Sequence, residues 1–353
     1  MGVEIQDGQA SLIDKVIDRG ICVRCGACVG LCPYFRYFDG KVVVMDRCNA
    51  DSSRCLQVCP RAGYEGTSPE IDKTGSGDTS EIGAYHEIIM ARASDEQIRK
   101  TAQYGGVVSA LLIYAIQKGE IKSAVLTDTG DPLSPAGKNT ENRTEVLSCG
   151  GSRYTGAGGL SVLNSAISAG EANLGVVGLP CQMEALARMR LMTPDGEERS
   201  SKVVLKIGLF CTWAVDYRSL RAFLAKEGVG GSIKKFDIPP PPAEVFKVQS
   251  QEGWREFPLS EIRPLVQQGC AFCQDMTAEL ADISIGTVEG NEGWNTVVLR
   301  TQSGRELVHE AIEKGWLETN SLPHENLEHL KEASLNKRER GKKASEDMAR
   351  SNA

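Results

Sequence analysis

From about residue 84 onward the apolar residues alternate between two periods. After "QYGG", Val107, Leu111, Tyr114 and Ala115 recur at the spacing of a helix with one apolar face, and "SAVLT" (123–127) is the short apolar run of a buried strand. Leu160, Leu163 and Ile167 mark another helix, "LGVVGL" (174–179) a strand, Met183 and Leu186 a helix, and "VVLKIGLF" (203–210) a strand. Strands separated by helices predict an α/β fold, a mixed sheet with a parallel part and helices on its faces. Pro239 to Pro242 ends "IKKFDI" with a stiff polyproline stretch. Beyond it "AEVFKVQSQEGWREFPL" predicts a hairpin around Glu252-Gly253, and "ADISIG" (281–286) and "NTVVLRT" (295–301) predict further strands.

The chain before this region has little apolar periodicity. Residues 1–66 form a unit defined by cysteine, small and ferredoxin-like, which a metal rather than an apolar core is expected to hold. A linker rich in Gly, Ser, Thr and acids follows at 67–83. The main domain divides into an N-terminal part, 84–170, and a C-terminal part, 171–330, and residues 331–353 read as a charged tail, either a solvated helix or disordered.

Composition narrows the partners. With 41% hydrophobic and 25% charged residues the chain is an ordinary globular one, and a net charge of -7 disfavours nucleic acid. No apolar run approaches the roughly 20 residues of a membrane span, so no membrane insertion is expected. The first residues carry acids where a signal peptide carries basic ones, which points to a cytoplasmic location. Twelve cysteines in a reducing compartment suit metal ligation better than a disulfide framework. The four histidines form no ligand-like constellation.

"ICVRCGACVGLCPYF" (21–35) is a C-x2-C-x2-C-x3-C-P run, in which three thiolates wrap one cubane and the fourth leaves for a second cluster. On that logic Cys22, Cys25, Cys28 and the distant Cys59 bind one 4Fe-4S cluster. A structural zinc is the plain alternative, but zinc modules more often pair two C-x2-C units. The second run, "RCNADSSRCLQVCPR", is irregular, since Asn49 and Ser52 occupy cysteine positions. Cys32, Cys48 and Cys55 leave three thiolates. They allow a 3Fe-4S cluster, a 4Fe-4S cluster with a non-cysteine ligand such as Asp51, or no second cluster. Cys181 and Cys211 follow predicted strands, and Cys270 and Cys273 form a further C-x2-C. These four either meet at one edge of the sheet, where α/β folds build sites, or remain core cysteines. Cys149 stays a core or spare thiol.

"TAQYGGVVSALLIYAI", "GSRYTG", "GLPCQMEALARM", "KIGLFCTW", "IKKFDI", "CAFCQDMTAELADISIG" and "TVVLRTQSG" together resemble the coenzyme F420 hydrogenase/dehydrogenase beta subunit family, over residues 84 to about 318. The cysteine-rich N-terminal unit resembles a domain appended to many members. The resemblance implies a flavoprotein core carrying FAD and a 4Fe-4S cluster on Cys181, Cys211, Cys270 and Cys273, so two or three clusters in all. It also implies that Gly105, Gly106 and Ser109, with Ser152, Arg153 and Tyr154, line the FAD. Glycines opening a helix suit a pyrophosphate, although Gly-Gly before a helix is more often a plain turn. In one departure from the family pattern, Thr287, Val288 and Glu289 follow "ADISIG" where an aspartate is common, which bears on the hydride acceptor.

The expected function is that of an oxidoreductase subunit. FAD would exchange hydride with a soluble carrier, F420 or a substitute, and clusters would pass single electrons to a partner subunit of a hydrogenase, dehydrogenase or reductase complex. The rival reading is an iron-sulfur electron-transfer adaptor without hydride chemistry. A zinc-bound interaction module is a third.

Overall fold

A computed structural model of the protein describes residues 8–50, 53–62, 81–128, 130, 132–230, 232–240 and 243–351. Most of the expected linker, and Asp51, Pro241 and Pro242, lie outside the described residues. In chain order the strands are β1 (Phe35–Phe38), β2 (Lys41–Val44), β3 (Glu87–Ala93), β4 (Ser123–Thr127), β5 (Gly137–Thr140), β6 (Leu174–Gly178) and β7 (Val203–Leu209). They continue with β8 (Lys235–Asp237), β9 (Val245–Ser250), β10 (Gly253–Pro258), β11 (Ile283–Thr287), β12 (Asn295–Leu299) and β13 (Leu317–Asn320).

Eight strands form one mixed sheet in the order β13-β3-β12-β11-β7-β6-β4-β5. Its centre, β11-β7-β6-β4, is parallel, while β12, β3, β13 and β5 extend it antiparallel at either side. The parallel strands read as apolar runs because helices cover both faces. On one face the helix Val107–Lys118 packs Leu111, Leu112 and Ala115 among Ile207, Ile285 and Val297. A second core gathers Leu160, Leu163 and Ile167 of the helix Gly159–Ser168 with Met183, Leu186 and Met189 of Pro180–Arg190. The expected α/β architecture and its predicted strands are therefore present.

The predicted hairpin is β9-β10, joined across Ser250 and Gly253, and with β8 it forms a separate three-stranded sheet. Phe236, Phe246, Val248 and Phe257 pack there against Leu220 and Leu224 of the helix Tyr217–Lys226.

The N-terminal unit differs from its expectation in having an apolar core of its own. Leu12, Val16, Ile21, Phe35 and Val42 pack together, and Phe272 from the far end of the chain completes the cluster, with Ala344 and Met348 against it. The described part of the charged tail, 331–351, expected as a solvated helix or disordered, belongs to the helix His324–Ser351, which buries Ser334, Lys337 and Gly341. Gly341 is required because a Cβ there would stand 2.7 Å from Cys273 O. Among the described residues no helix is long and apolar enough to cross a membrane.

Candidate metal and cofactor sites

The parallel strands point their carboxyl ends at one edge of the sheet, and the connecting loops there carry the cysteines. Cys181 follows β6 in the first turn of the helix Pro180–Arg190, whose start is fixed by Pro180 and by Gln182 Oε1 accepting from Leu179 N at 2.8 Å. Cys211 follows β7, its N–H donating to Met276 O at 2.9 Å. Cys270 lies in the 3-10 turn Gln268–Phe272 and Cys273 directly follows it. Together Cys181, Cys211, Cys270 and Cys273 line a void. In the N-terminal unit Cys22, Cys25, Cys28 and Cys59 line a second void. Spacing had grouped both sets of four, the second set with the aid of the family resemblance.

The two voids adjoin. Val23 lines both, and the Cys25 and Cys181 thiols are within electrostatic reach of each other. The N-terminal unit is held in that position by dense polar contacts. Leu160 N donates to Cys25 O at 3.1 Å, Tyr37 OH to Gly156 O at 2.7 Å, and Asn164 Nδ2 to both Ala27 O and Val29 O at 2.8 Å. Arg24 pairs with Asp216. Gly26, at φ +84°, lies so close to the main domain that a Cβ would stand 2.4 Å from Gly158 O.

All twelve cysteines are free thiols. Burial pushes the thiols of Cys59 and Cys211 up to about 12, and it raises Cys22, Cys25, Cys28, Cys181 and Cys270 in the same direction. Buried thiols that resist ionisation alone give up their protons to a bound cation, so each ring of four suits a metal group. Among the described residues no group of three or more His, Cys, Asp or Glu side chains could hold a single metal ion. The thiols surround a space instead, as ligands of a polynuclear cluster do.

Two buried cations stand at these voids, and no motif or spacing marks either of them. Arg61 is 5% exposed and lines the central void. Its Nε donates to Gly269 O at 3.1 Å and its Nη1 to Pro60 O at 2.8 Å, while Glu184 lies 3.8 Å away. Its Nη2 is buried without a partner among the described residues. Burial opposes its charge, but Cys273, Glu184, Cys181 and Cys270 more than offset that and raise its pKa. Lys337 is 3% exposed and donates from Nζ to Cys211 O at 2.5 Å.

The irregular second motif is only partly gathered. Cys32 and Cys55 interact electrostatically, and Cys55 Sγ lies 3.2 Å from Ser53 Oγ. Cys48 sits beside Gln9, whose Oε1 accepts from its N–H at 2.8 Å. Its proposed companion Asp51 is outside the described residues.

The residues expected to line a flavin lie close together. Ser152 N donates to Gln103 Oε1 at 3.3 Å, which joins the "GSRY" loop to the segment leading into Gly105 and Gly106. Both glycines are demanded locally, Gly106 by φ +78° and Gly105 by Asn295 Oδ1, 2.7 Å from where its Cβ would stand. Asn295 Oδ1 also accepts from Val107 N at 3.4 Å, and Ser109 is buried. Arg153 carries a buried Nε without a partner among the described residues, a feature that suits an anionic group. Tyr154 belongs to the small sheet: its OH accepts from Ile238 N at 3.0 Å and its ring meets Phe246 edge-on at 6.2 Å. Sequence reading missed Gln103, Tyr104 and Asp237. Gln103 Nε2 donates to Asp237 Oδ1 at 2.5 Å, and burial with the Asp237 charge pushes Tyr104 up to about 12.

Family models described as coenzyme F420 hydrogenase/dehydrogenase, beta subunit N-term and C terminus, match residues 88–164 and 171–325. A coenzyme F420 hydrogenase subunit beta from Methanothermobacter thermautotrophicus is 32% identical over 268 residues, 74% of this chain and 94% of its own. A coenzyme F420-dependent sulfite reductase from Methanocaldococcus jannaschii is 29% identical over 313 residues, 84% of this chain and 46% of its own. A chain in the structure of the F420-reducing NiFe hydrogenase complex from Methanosarcina barkeri superposes with a TM-score of 0.71 at 31% identity, covering 77% of this chain and 94% of that one.

Proposed function

We propose, because the chain belongs to the coenzyme F420 hydrogenase/dehydrogenase beta subunit family, that this oxidoreductase exchanges hydride between FAD and F420 or a substitute carrier and delivers single electrons to a partner subunit. The observation that carries the reading is the pair of adjoining voids, each lined by four cysteines, one of them at the sheet edge. When bound, FAD supplies the exchange between hydride and single electrons, and iron-sulfur clusters supply one-electron carriage.

The chain's own residues then have distinct tasks. Cys22, Cys25, Cys28 and Cys59 ligate one 4Fe-4S cluster, and Cys181, Cys211, Cys270 and Cys273 another. Cys32, Cys48 and Cys55 are the ligands available for a third, of three irons or with a non-cysteine ligand. Arg153 offers its unpartnered Nε to a phosphate, while Gly105, Gly106, Ser109 and Ser152 shape the approach. Tyr154 supports that loop from the small sheet. The rigid docking of the N-terminal unit keeps the two ligand sets side by side, which suits electron passage without a moving carrier.

The test is anaerobic purification with iron, acid-labile sulfide and flavin quantitation, then exposure of the oxidised protein to reduced F420, NADH and NADPH in parallel. Bleaching of bound flavin by reduced F420 is the expected result. Cluster absorbance with no flavin would instead favour an electron-transfer adaptor, a reading helped by the commitment of Tyr154 to the small sheet's core. A colourless protein containing zinc would remove both.

A further inference from the structure

We infer that Arg61 is a counter-charge shared by the two four-cysteine sites and that it sets both of their reduction potentials together. The inference rests on the reading that each site holds an iron-sulfur cluster.

Arg61 stands where the two sites meet. It follows Cys59 and Pro60, which line the N-terminal void, yet its own side chain lines the central one. Its two hydrogen-bonded nitrogens reach one carbonyl from each side, Pro60 O at 2.8 Å and Gly269 O, next to Cys270, at 3.1 Å. Its charge is felt by Cys22, Cys25 and Cys59 of the first set and by Cys181 and Cys270 of the second. A guanidinium does not lose its proton in a protein, so this is a fixed positive charge. Buried positive charge beside an iron-sulfur site favours the reduced state, because an added electron brings one more negative charge, with no bond made and no proton moved. Glu184, 3.8 Å from Nη1, offsets part of the charge, and the unpartnered Nη2 leaves the rest uncompensated among the described residues.

Lys337 provides the contrast. It touches Cys211 O and acts on Cys211 and Cys270, all in the central set. Arg61 acts on both sets, so electron occupancy of either site responds to the same group.

The experiment uses the full chain, purified anaerobically and assayed for iron and sulfide, then titrated potentiometrically with each cluster followed by electron paramagnetic resonance. Arg61→Gln removes the charge and keeps an amide donor. Both midpoints should fall, each by about tenfold in the reduction equilibrium, or ~59 mV for a one-electron couple. Arg61→Lys keeps the charge and should stay near wild type. Glu184→Gln, at a partly exposed helix position, removes the compensating carboxylate and should raise both midpoints. If Arg61→Gln loses iron, Glu184→Gln decides the matter with its clusters intact. Unmoved midpoints in an iron-replete charge variant, or movement of one cluster alone, overturn the shared role. A shift in Arg61→Lys equal to that in Arg61→Gln also overturns it, since packing would then be the cause. Wild-type protein devoid of iron and sulfide overturns the cluster reading itself, an outcome seen before any titration.

Discussion

Asp216 accepts from Ser219 N at 2.8 Å to cap the helix Tyr217–Lys226, and it also pairs with Arg24, which sits between two cysteines of the N-terminal set. Burial works to raise its pKa, but the bonds from Ser219 and Arg24 outweigh that and hold the carboxyl below its usual range. Its folded pKa is thus below its unfolded one, so the stabilisation is full above about pH 4 and is lost as pH falls through the folded value. Asp216→Asn keeps a good cap and removes the charge, so thermal unfolding should show a deficit of about 2 kcal/mol at neutral pH. The deficit should shrink below about pH 4, and one that stays constant there would show that the charge is irrelevant. At this scale the sequence was readable wherever chemistry imposes a spacing, as for Cys22, Cys25 and Cys28. It was silent on Arg61 and Lys337, because a lone basic residue looks solvated until the fold buries it. Tyr154 shows the converse: its place in the motif is plain, but only the structure shows its hydroxyl committed to Ile238.

Among the elements, the helix Gly159–Ser168 joins the N-terminal cysteine loop to the main domain. Its Asn164 donates to two carbonyls of the cysteine loop, and Oδ1 accepts from Arg199 Nη2 at 3.1 Å, so one fully buried amide serves three partners. Asn164→Ala would leave the Ala27 and Val29 carbonyls without that donor, a penalty of about 2–3 kcal/mol. Limited proteolysis should then cut the N-terminal unit earlier than in wild type, with the central sheet unaffected. Equal cutting rates would count against Asn164 as the anchor. Elements with a clear period, such as β4, β6, β7 and the β9-β10 hairpin, could be read in advance because burial on one or both faces writes itself into residue order. The apolar core of the N-terminal unit could not. Phe272 and Met348 complete it from far along the chain, and no local pattern records such a contact.

For the molecule as a whole, the helix His324–Ser351 runs on beyond residue 325, where the family match ends, and returns Lys337 to the central site. With the clusters of the proposed function in place, Lys337→Met should lower the midpoint of the central one alone, by about tenfold in the reduction equilibrium, ~59 mV. Electron paramagnetic resonance titration should leave the N-terminal cluster in place; movement of both would mean that the helix also supports the docking. The α/β class was legible from alternation, but the contact of the chain's two ends was not, because a solvated helix and one with a single buried lysine share a composition.

That contact imposes a timetable on maturation. If the two sets hold clusters as proposed, the four cysteines of the N-terminal set are all in place by Cys59, but the apolar core around them waits for Phe272. The central set waits for Cys273, and its buried cation for Lys337. A chain that stops short of the last helix therefore lacks Lys337 at the central site and Ala344 and Met348 against the N-terminal core, so both sites are finished only when that helix folds back.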